Sequence, residues 1–175
     1  MGFGPIAESL NAGLIVLTAA YRGERSGCLV GFHTQCSIDP PRYAVWLSKL
    51  NHTYRVAAVA DHVAIHFLGR GDRDLAELFG GTTGDTRDKF EDVDWVDGPH
   101  GVPLLSRCPT RVVARRASYI DDGSDHVCMV CEPLEIESQL FEPFRLLDAV
   151  GIEPGHPEAE QRRVSGRDRP GDRPQ

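Results

Sequence analysis

Short runs of apolar and often β-branched residues recur along the chain and are separated by turn residues. Runs of this length and composition are typical of β-strands rather than helices. The turn at 21–25 and the Asp121–Ser124 segment each join two such runs into a hairpin. The pattern predicts strands at 13–20, 27–37, 43–48, 62–68, 109–120 and 125–137.

Two stretches have helical spacing instead. Residues 53–60 follow a candidate cap at Asn51 or Thr53, and a second short helix follows Asp72 and ends at Gly80-Gly81. Residues 82–106 are rich in turn residues. The sequence therefore predicts a mainly β protein with short helices, and six or so strands suggest an antiparallel barrel.

The composition narrows the possible partners. The formal net charge is −7 with no basic cluster, which argues against a nucleic-acid partner. No apolar run approaches the ~18 residues that span a bilayer, so we expect no membrane association. The amino terminus lacks the pattern of a secretory signal, and five cysteines without one argue against a disulfide framework. We expect a soluble, cytoplasmic protein.

The carboxyl-terminal segment differs from the rest of the chain. Residues 153–175 contain four prolines, three glycines and many charged residues but almost nothing apolar. Such a segment cannot offset its ordering entropy by burial. We expect one domain at 1–152, followed by a tail that is flexible or packed on a partner subunit.

The sequence contains partial matches to motifs for metal and dinucleotide sites, but none is complete. Cys128 and Cys131 are three apart within a strand and would point to opposite faces, so we predict no metal site. Gly69-Arg70-Gly71 begins like a dinucleotide fingerprint, but Asp74 stands where the third glycine is needed. Of the histidines, His66 and His126 have contexts that favour burial.

A candidate anion site lies where the third strand meets the first predicted helix. A helix amino terminus presents free N–H groups and partial positive charge. Lys49, Asn51 and Thr53 would add an ammonium and two hydrogen-bonding side chains suited to a phosphate. A capping segment with a solvated lysine explains the same residues, and the stretch alone leaves both interpretations open.

The order of motifs resembles the flavin reductase-like family over about residues 10–137. The motifs, in chain order, are GCLVGFHTQCSIDPP, YAVWLSKLNHTYRVAAVA, HVAIHFLG, DLAELFGG, KFEDVDW, GVPLL and Gly123-Ser124-Asp125-His126. The resemblance implies a six-stranded antiparallel Greek-key split β-barrel of the FMN-binding type. It also implies a homodimer with the flavin near the subunit interface.

The resemblance assigns roles to individual residues. Leu29 and Gly31 stand where many relatives carry hydroxyl side chains, so their contacts with the flavin would come from backbone groups. His126, with His33 as an alternative, would shape the nicotinamide side, and His126 is the predicted catalytic residue. The predicted cofactor-binding residues are Leu29, Val30, Gly31, Phe32, Thr34, Gln35, Trp46, Leu47, Ser48, Lys49, Asn51, Thr53 and His66.

The implied function is that of an NAD(P)H-dependent flavin reductase. Hydride would pass from NADH or NADPH to N5 of FMN or FAD, and the reduced flavin would serve a partner monooxygenase or pass electrons on in place. Two alternatives remain open at this point. The barrel could bind deazaflavin or haem, with Gly31, His33 and His66 reflecting that change, or it could be a non-catalytic flavin-binding or interaction protein.

Overall fold

A computed structural model describes residues 2–155. Seven strands form one antiparallel sheet, and two short strands pair separately. The helices are α1 (Gly4–Leu10), α2 (His52–Val59) and α3 (Arg73–Gly81). The strands are β1 (Ile15–Tyr21), β2 (Glu24–Val30), β3 (His33–Ile38), β4 (Pro41–Ser48), β5 (His62–Phe67), β6 (Trp95–Asp97), β7 (Pro103–Leu105), β8 (Arg111–Ile120) and β9 (His126–Glu137).

The large sheet curls until its two ends meet. Its strand order is β2-β1-β5-β8-β9-β4-β3, so two strands that follow each other in the chain lie at opposite ends of the sheet. Cys28 and Val30 of β2 nevertheless share one buried cluster with Val45 and Leu47 of β4. This arrangement confirms the mainly β, split-barrel class.

The strand count differs from the prediction because the run at 27–37 is two strands. Residues up to Val30 pair with β1, whereas residues from His33 onward pair with β4. Gly31 and Phe32 belong to neither ladder and form the joint between the two ends of the sheet. In the sequence, residues 27–37 pass from apolar to polar without a turn residue pattern that would mark this break.

The core has two main parts. The barrel interior is filled by the inward side chains of the strands and is closed at one end by Val56 and Ala57 of α2. A second cluster lies between the outer face of the barrel and α3. Gly27 allows this close approach, because a Cβ there would lie 2.7 Å from the ring of Phe79.

The other predicted elements lie within a few residues of their expected places, with one omission. The turn-rich segment 82–106 contains the β6–β7 hairpin, whose strands are too short to give a period-two pattern. Of the predicted tail, 153–155 are described, and the N–H of Gly155 donates to the carbonyl of Gly80 at 3.0 Å. Residues 156–175 lie outside the described part. No described helix has the length and apolarity required to cross a bilayer.

Candidate functional site

The free edge of β2 defines the candidate site. Within the described residues, β2 pairs only with β1, at one end of the sheet. In an antiparallel strand, alternate residues direct their N–H and C=O groups to each side. Alternate residues of β2 therefore direct their backbone groups away from β1. Among these, the carbonyl of Gly27 accepts from Lys89, and the groups nearer the end of the strand face the gap toward β4.

A cleft of about 230 Å³ occupies this gap. A shallower depression of about 430 Å³ adjoins it and shares Gly31, Phe32 and Trp46 with it. Together their sizes fall within the range of about 300–1,000 Å³ typical of small-molecule sites. The walls are mainly apolar, with a few polar groups at one end, as expected for a planar ligand with polar edges.

Nine of the predicted site residues line this cleft. Residues 29–32 come from β2 and the joint, 46–48 from the end of β4, and Asn51 and His126 from the two turns beyond. The N–H of Trp46 donates to the carbonyl of Phe32 at 2.9 Å and fixes the width of the gap at the joint. The structure thus brings together segments that are distant in the sheet order.

Lys49 and Thr53 are not among the lining residues. The ammonium of Lys49 lies 2.8 Å from a carboxylate oxygen of Asp121, and this hydrogen bond raises the pKa of the lysine. The hydroxyl of Thr53 is buried 2.8 Å from that of Ser26. Asn51 stays on the cleft, where its side-chain oxygen caps α2 by accepting from the N–H of Thr53. Two of the three predicted phosphate contacts, Lys49 and Thr53, are therefore engaged elsewhere.

Thr34 and Gln35 lie on the exposed end strand β3, away from the cleft. The Thr34 hydroxyl donates to the Gln35 carbonyl, and the Gln35 amide donates to the Ser37 carbonyl, both at 3.2 Å. The prediction placed them on the cleft because it treated 27–37 as one strand. The joint at 31–32 redirects the chain before it reaches them.

His66 is also outside the cleft. Its ring is fully buried under β7, where Nε2 accepts from the N–H of Leu105 at 3.1 Å. Nδ1 lies 3.3 Å from the carbonyl of Val16, which can only accept, so Nδ1 carries the proton. Burial lowers the pKa of His66 to about 4. The residue is a neutral core histidine, and the structure places it away from the cleft to which the prediction assigned it.

His33 borders the depression but has no free nitrogen. Nε2 donates to the carbonyl of Gly13 at 2.8 Å, so Nδ1 accepts from the hydroxyl of Tyr43 at 2.7 Å. Burial lowers the pKa of His33 and raises that of Tyr43 to about 12. These contacts tie β3 to the segment before β1, which is a structural role.

His126 is arranged differently. Its Nδ1 lies 2.9 Å from the carboxylate of Asp125, and the ring of Phe32 meets it edge-to-face at 5.4 Å between centroids. Within residues 2–155, Nε2 has no hydrogen-bond partner. Of the three candidate histidines, His126 is thus the one that can offer a nitrogen to a ligand.

Three residues of the site were not predicted from the sequence. Cys28 and Leu146 also line the cleft, and Asp125 orients His126. Asp125 could have been found, since it directly precedes His126 in the quoted motif. Leu146 could not, because it reaches the cleft only through the return of the chain after β9.

A polar cavity of about 400 Å³ lies at the other end of β2, between the β1–β2 turn, the start of α2 and residues 84–90. Lys89 is buried on its wall and donates to the carbonyls of Gly27 and Phe79 at 3.0 and 3.1 Å. Burial lowers the pKa of Lys89. His52 lies 2.9 Å from carboxylate oxygens of both Glu24 and Asp85. Because His52 follows Asn51, the start of α2 borders both the cleft and this cavity.

Comparison with known proteins agrees with this geometry. The family model described as "Flavin reductase like domain" matches residues 7–148. The stachydrine N-demethylase reductase subunit Stc3 of Rhizobium meliloti (strain 1021) is 29% identical over 129 residues, which are 71% of this chain and 54% of that protein. The FMN reductase (NADH) RutF 2 of Rhizobium rhizogenes (strain K84) is 30% identical over 114 residues, 63% of this chain and 65% of that protein. The chain thus spans between half and two thirds of these relatives.

A solved structure supports the fold. The flavin reductase domain protein from Arthrobacter sp. FB24 superposes with a TM-score of 0.69 at 22% identity, covering 78% of this chain and 84% of that one. At this identity the likeness concerns the backbone arrangement alone.

Proposed function

The chain belongs to the flavin reductase like domain family, and from this premise we propose that it is an NAD(P)H-dependent flavin reductase with its flavin in the cleft between β2 and β4. The observation that carries the proposal is the convergence of 29–32, 46–48, Asn51 and His126 on that cleft. Because β2 and β4 are separated by four strands in the sheet, these residues share a cleft only when the sheet has closed.

The chemistry of the cleft fits an isoalloxazine ring. The ring system is planar and apolar on its faces, with donors and acceptors along its edges. Leu29, Trp46 and Leu47 supply apolar contact, and the unpaired edge of β2 supplies backbone donors and acceptors. Because these backbone groups can contact the edge of the ring, the lack of a hydroxyl side chain at Leu29 and Gly31 does not prevent flavin binding. FMN and FAD share the ring, so both are candidates.

The polypeptide aligns the reactants and supports charge. A bound flavin supplies the hydride acceptor, for which the protein needs no general base. Backbone N–H groups of the 29–32 segment would stabilise the negative charge that develops on the ring edge. His126 lines the cleft and would contact the nicotinamide.

We assign the phosphate of the flavin to the start of α2, where Asn51 borders the cleft and His52 borders the polar cavity. The partial positive charge of a helix amino terminus favours an anion there. Lys49 and Thr53 are not part of this assignment, because their polar groups bind Asp121 and Ser26.

The two histidines named for a haem-binding barrel argue against haem. Both ring nitrogens of His33 and of His66 are engaged by protein groups. A colourless protein that ignores added flavin would instead support the interaction-protein alternative.

The proposal extends to organisation and partners. Residues 1–152 would form the flavin-binding domain and 153–175 a separate segment. Exposed apolar side chains near the end of β9, including Leu134, Ile136 and Leu140, support a homodimer. One relative is named as the reductase subunit of an N-demethylase, which supports delivery of electrons to a partner oxygenase.

The test uses the purified full-length chain. Titration with FMN should quench flavin fluorescence, and NADH oxidation followed by absorbance should depend on added FMN or FAD. The absorbance spectrum as purified would show whether flavin is retained. Absence of both flavin binding and flavin-dependent NADH oxidation would contradict the proposal. Light scattering on the same sample measures the oligomeric state.

A further inference from the structure

The position of His126 is fixed by the backbone on both sides. It begins β9 and is paired with Ser48, the last residue of β4. The N–H of Lys49 donates to the carbonyl of Asp125 at 2.9 Å, so the turn before β9 is tied to the segment after β4. The backbone that carries the imidazole is therefore held in place at the wall of the cleft.

Asp125 determines which nitrogen of the imidazole carries the proton. Its carboxylate oxygen lies 2.9 Å from Nδ1. An ionised carboxylate can only accept, so the neutral ring holds its proton on Nδ1 and presents a bare Nε2. The Nε2 atom then acts as a hydrogen-bond acceptor.

Phe32 restricts the rotation of the same ring. The two rings meet edge-to-face, with an interplanar angle of 66°. Phe32 is 60% exposed, so its ring is accessible to a ligand. It lines both the cleft and the depression, whereas His126 lines only the cleft of the two.

We propose that Asp125 and Phe32 are positioning residues that hold His126 with Nε2 as an acceptor for the carboxamide N–H of the nicotinamide. This inference rests on the proposed function, since it names the contact made by the second substrate in the same cleft. It gives Phe32 a role toward the nicotinamide rather than the flavin.

The tautomer can be measured without any reaction. Two-bond ¹H–¹⁵N spectra of the full-length protein at alkaline pH, with the His126 signals identified from His126→Gln, report which nitrogen is protonated. We expect the Nδ1–H form in the unmodified protein and a shift toward the Nε2–H form in Asp125→Asn. Asp122→Asn removes the same charge from the same hairpin without contacting His126 and should leave the tautomer unchanged. An Nε2–H form in the unmodified protein, or no change in Asp125→Asn, would overturn the inference.

Kinetics test the contact with nicotinamide. Loss of one oriented hydrogen bond should raise the KM for NADH about tenfold in Asp125→Asn, with the Kd for FMN changed less than about twofold. Phe32→Leu should raise the same KM, and Phe3→Leu, which changes an exposed aromatic residue directly before α1, should not. In the His126→Gln background, both positioning substitutions should have no further effect on kcat/KM.

The outcomes separate this inference from the proposed function. If the effects of Phe32→Leu and His126→Gln on kcat/KM multiply in the double variant, or if they change the Kd for FMN instead, Phe32 does not act by positioning His126. Neither result would contradict the proposed flavin reductase activity. A protein that never oxidises NADH would refute the proposed function and with it the nicotinamide contact, whereas the spectra would still decide whether Asp125 sets the tautomer.

Discussion

The ammonium of Lys49 lies 2.8 Å from the carboxylate of Asp121, at the tip of the β8–β9 hairpin. The lysine that directly precedes α2 in the chain thus already has a partner. Lys49→Ala should therefore change the Kd for FMN by less than about threefold, the effect of a screened surface charge. Asp121→Asn is the control, since it frees the ammonium. Weakening by Lys49→Ala well beyond tenfold in a fluorescence titration would mean that the lysine leaves Asp121 for the phosphate.

Thr53 should matter for stability rather than for flavin binding. Thr53→Val keeps the shape but leaves the buried hydroxyl of Ser26 without its partner at 2.8 Å. We expect the free energy of unfolding to fall by about 1–3 kcal/mol. Urea unfolding measures it, and Ser26→Ala combined with Thr53→Val should cost less than the sum of the two single changes. Strict additivity would show that the two hydroxyls do not interact.

His66 should make stability depend on pH in the acid range. Its pKa in the folded protein is about 4, below the ordinary value of 6.5. Protonation therefore favours the unfolded chain, and the contribution present above pH 6.5 is lost as the pH falls toward 4. In this window the group should add a slope of up to ~1.4 kcal/mol per pH unit. His66→Gln should flatten the curve of unfolding free energy against pH, and an unchanged slope would count against a buried neutral ring.

Gly27 should not tolerate even a methyl group. A Cβ there would lie 2.7 Å from Phe79 and 3.2 Å from Thr18, so Gly27→Ala should destabilise the protein by about 1–3 kcal/mol. Phe79→Leu should relieve part of that cost in the double variant. Gly13→Ala is the matched control, because its Cβ would meet Pro143 at an ordinary 3.6 Å. Equal losses at both glycines in thermal unfolding would refute the packing argument.

The sequence predicted the fold better than the details of the site. Strand periodicity and the order of motifs found the barrel and the segments 29–32, 46–48 and 51. The errors have one physical source, which is that side-chain direction depends on pairing. The β8–β9 hairpin brings Asp121 to the ammonium of Lys49, and the packing of α2 brings the hydroxyl of Thr53 to Ser26. Neither contact can be seen from the residues around Lys49 and Thr53 alone.

His66 and the β2–β3 joint illustrate the same limit. A histidine inside an apolar strand could face the ligand or the core, and the hydrogen bond from Leu105, far along the chain, determines which. The joint at Gly31 and Phe32 arises from two different pairing partners, for which a single continuous run of residues contains no local signal.

The placement of β2 and β3 at opposite ends of the sheet has a consequence for folding. The walls of the cleft, β2 and β4, come together only after the strands between them in the sheet have assembled, which makes the cleft a late and non-local product of folding. A ligand bound there recognises the closed barrel and not its partly assembled precursors. Bound flavin should therefore slow the opening of the native barrel far more than it speeds its formation.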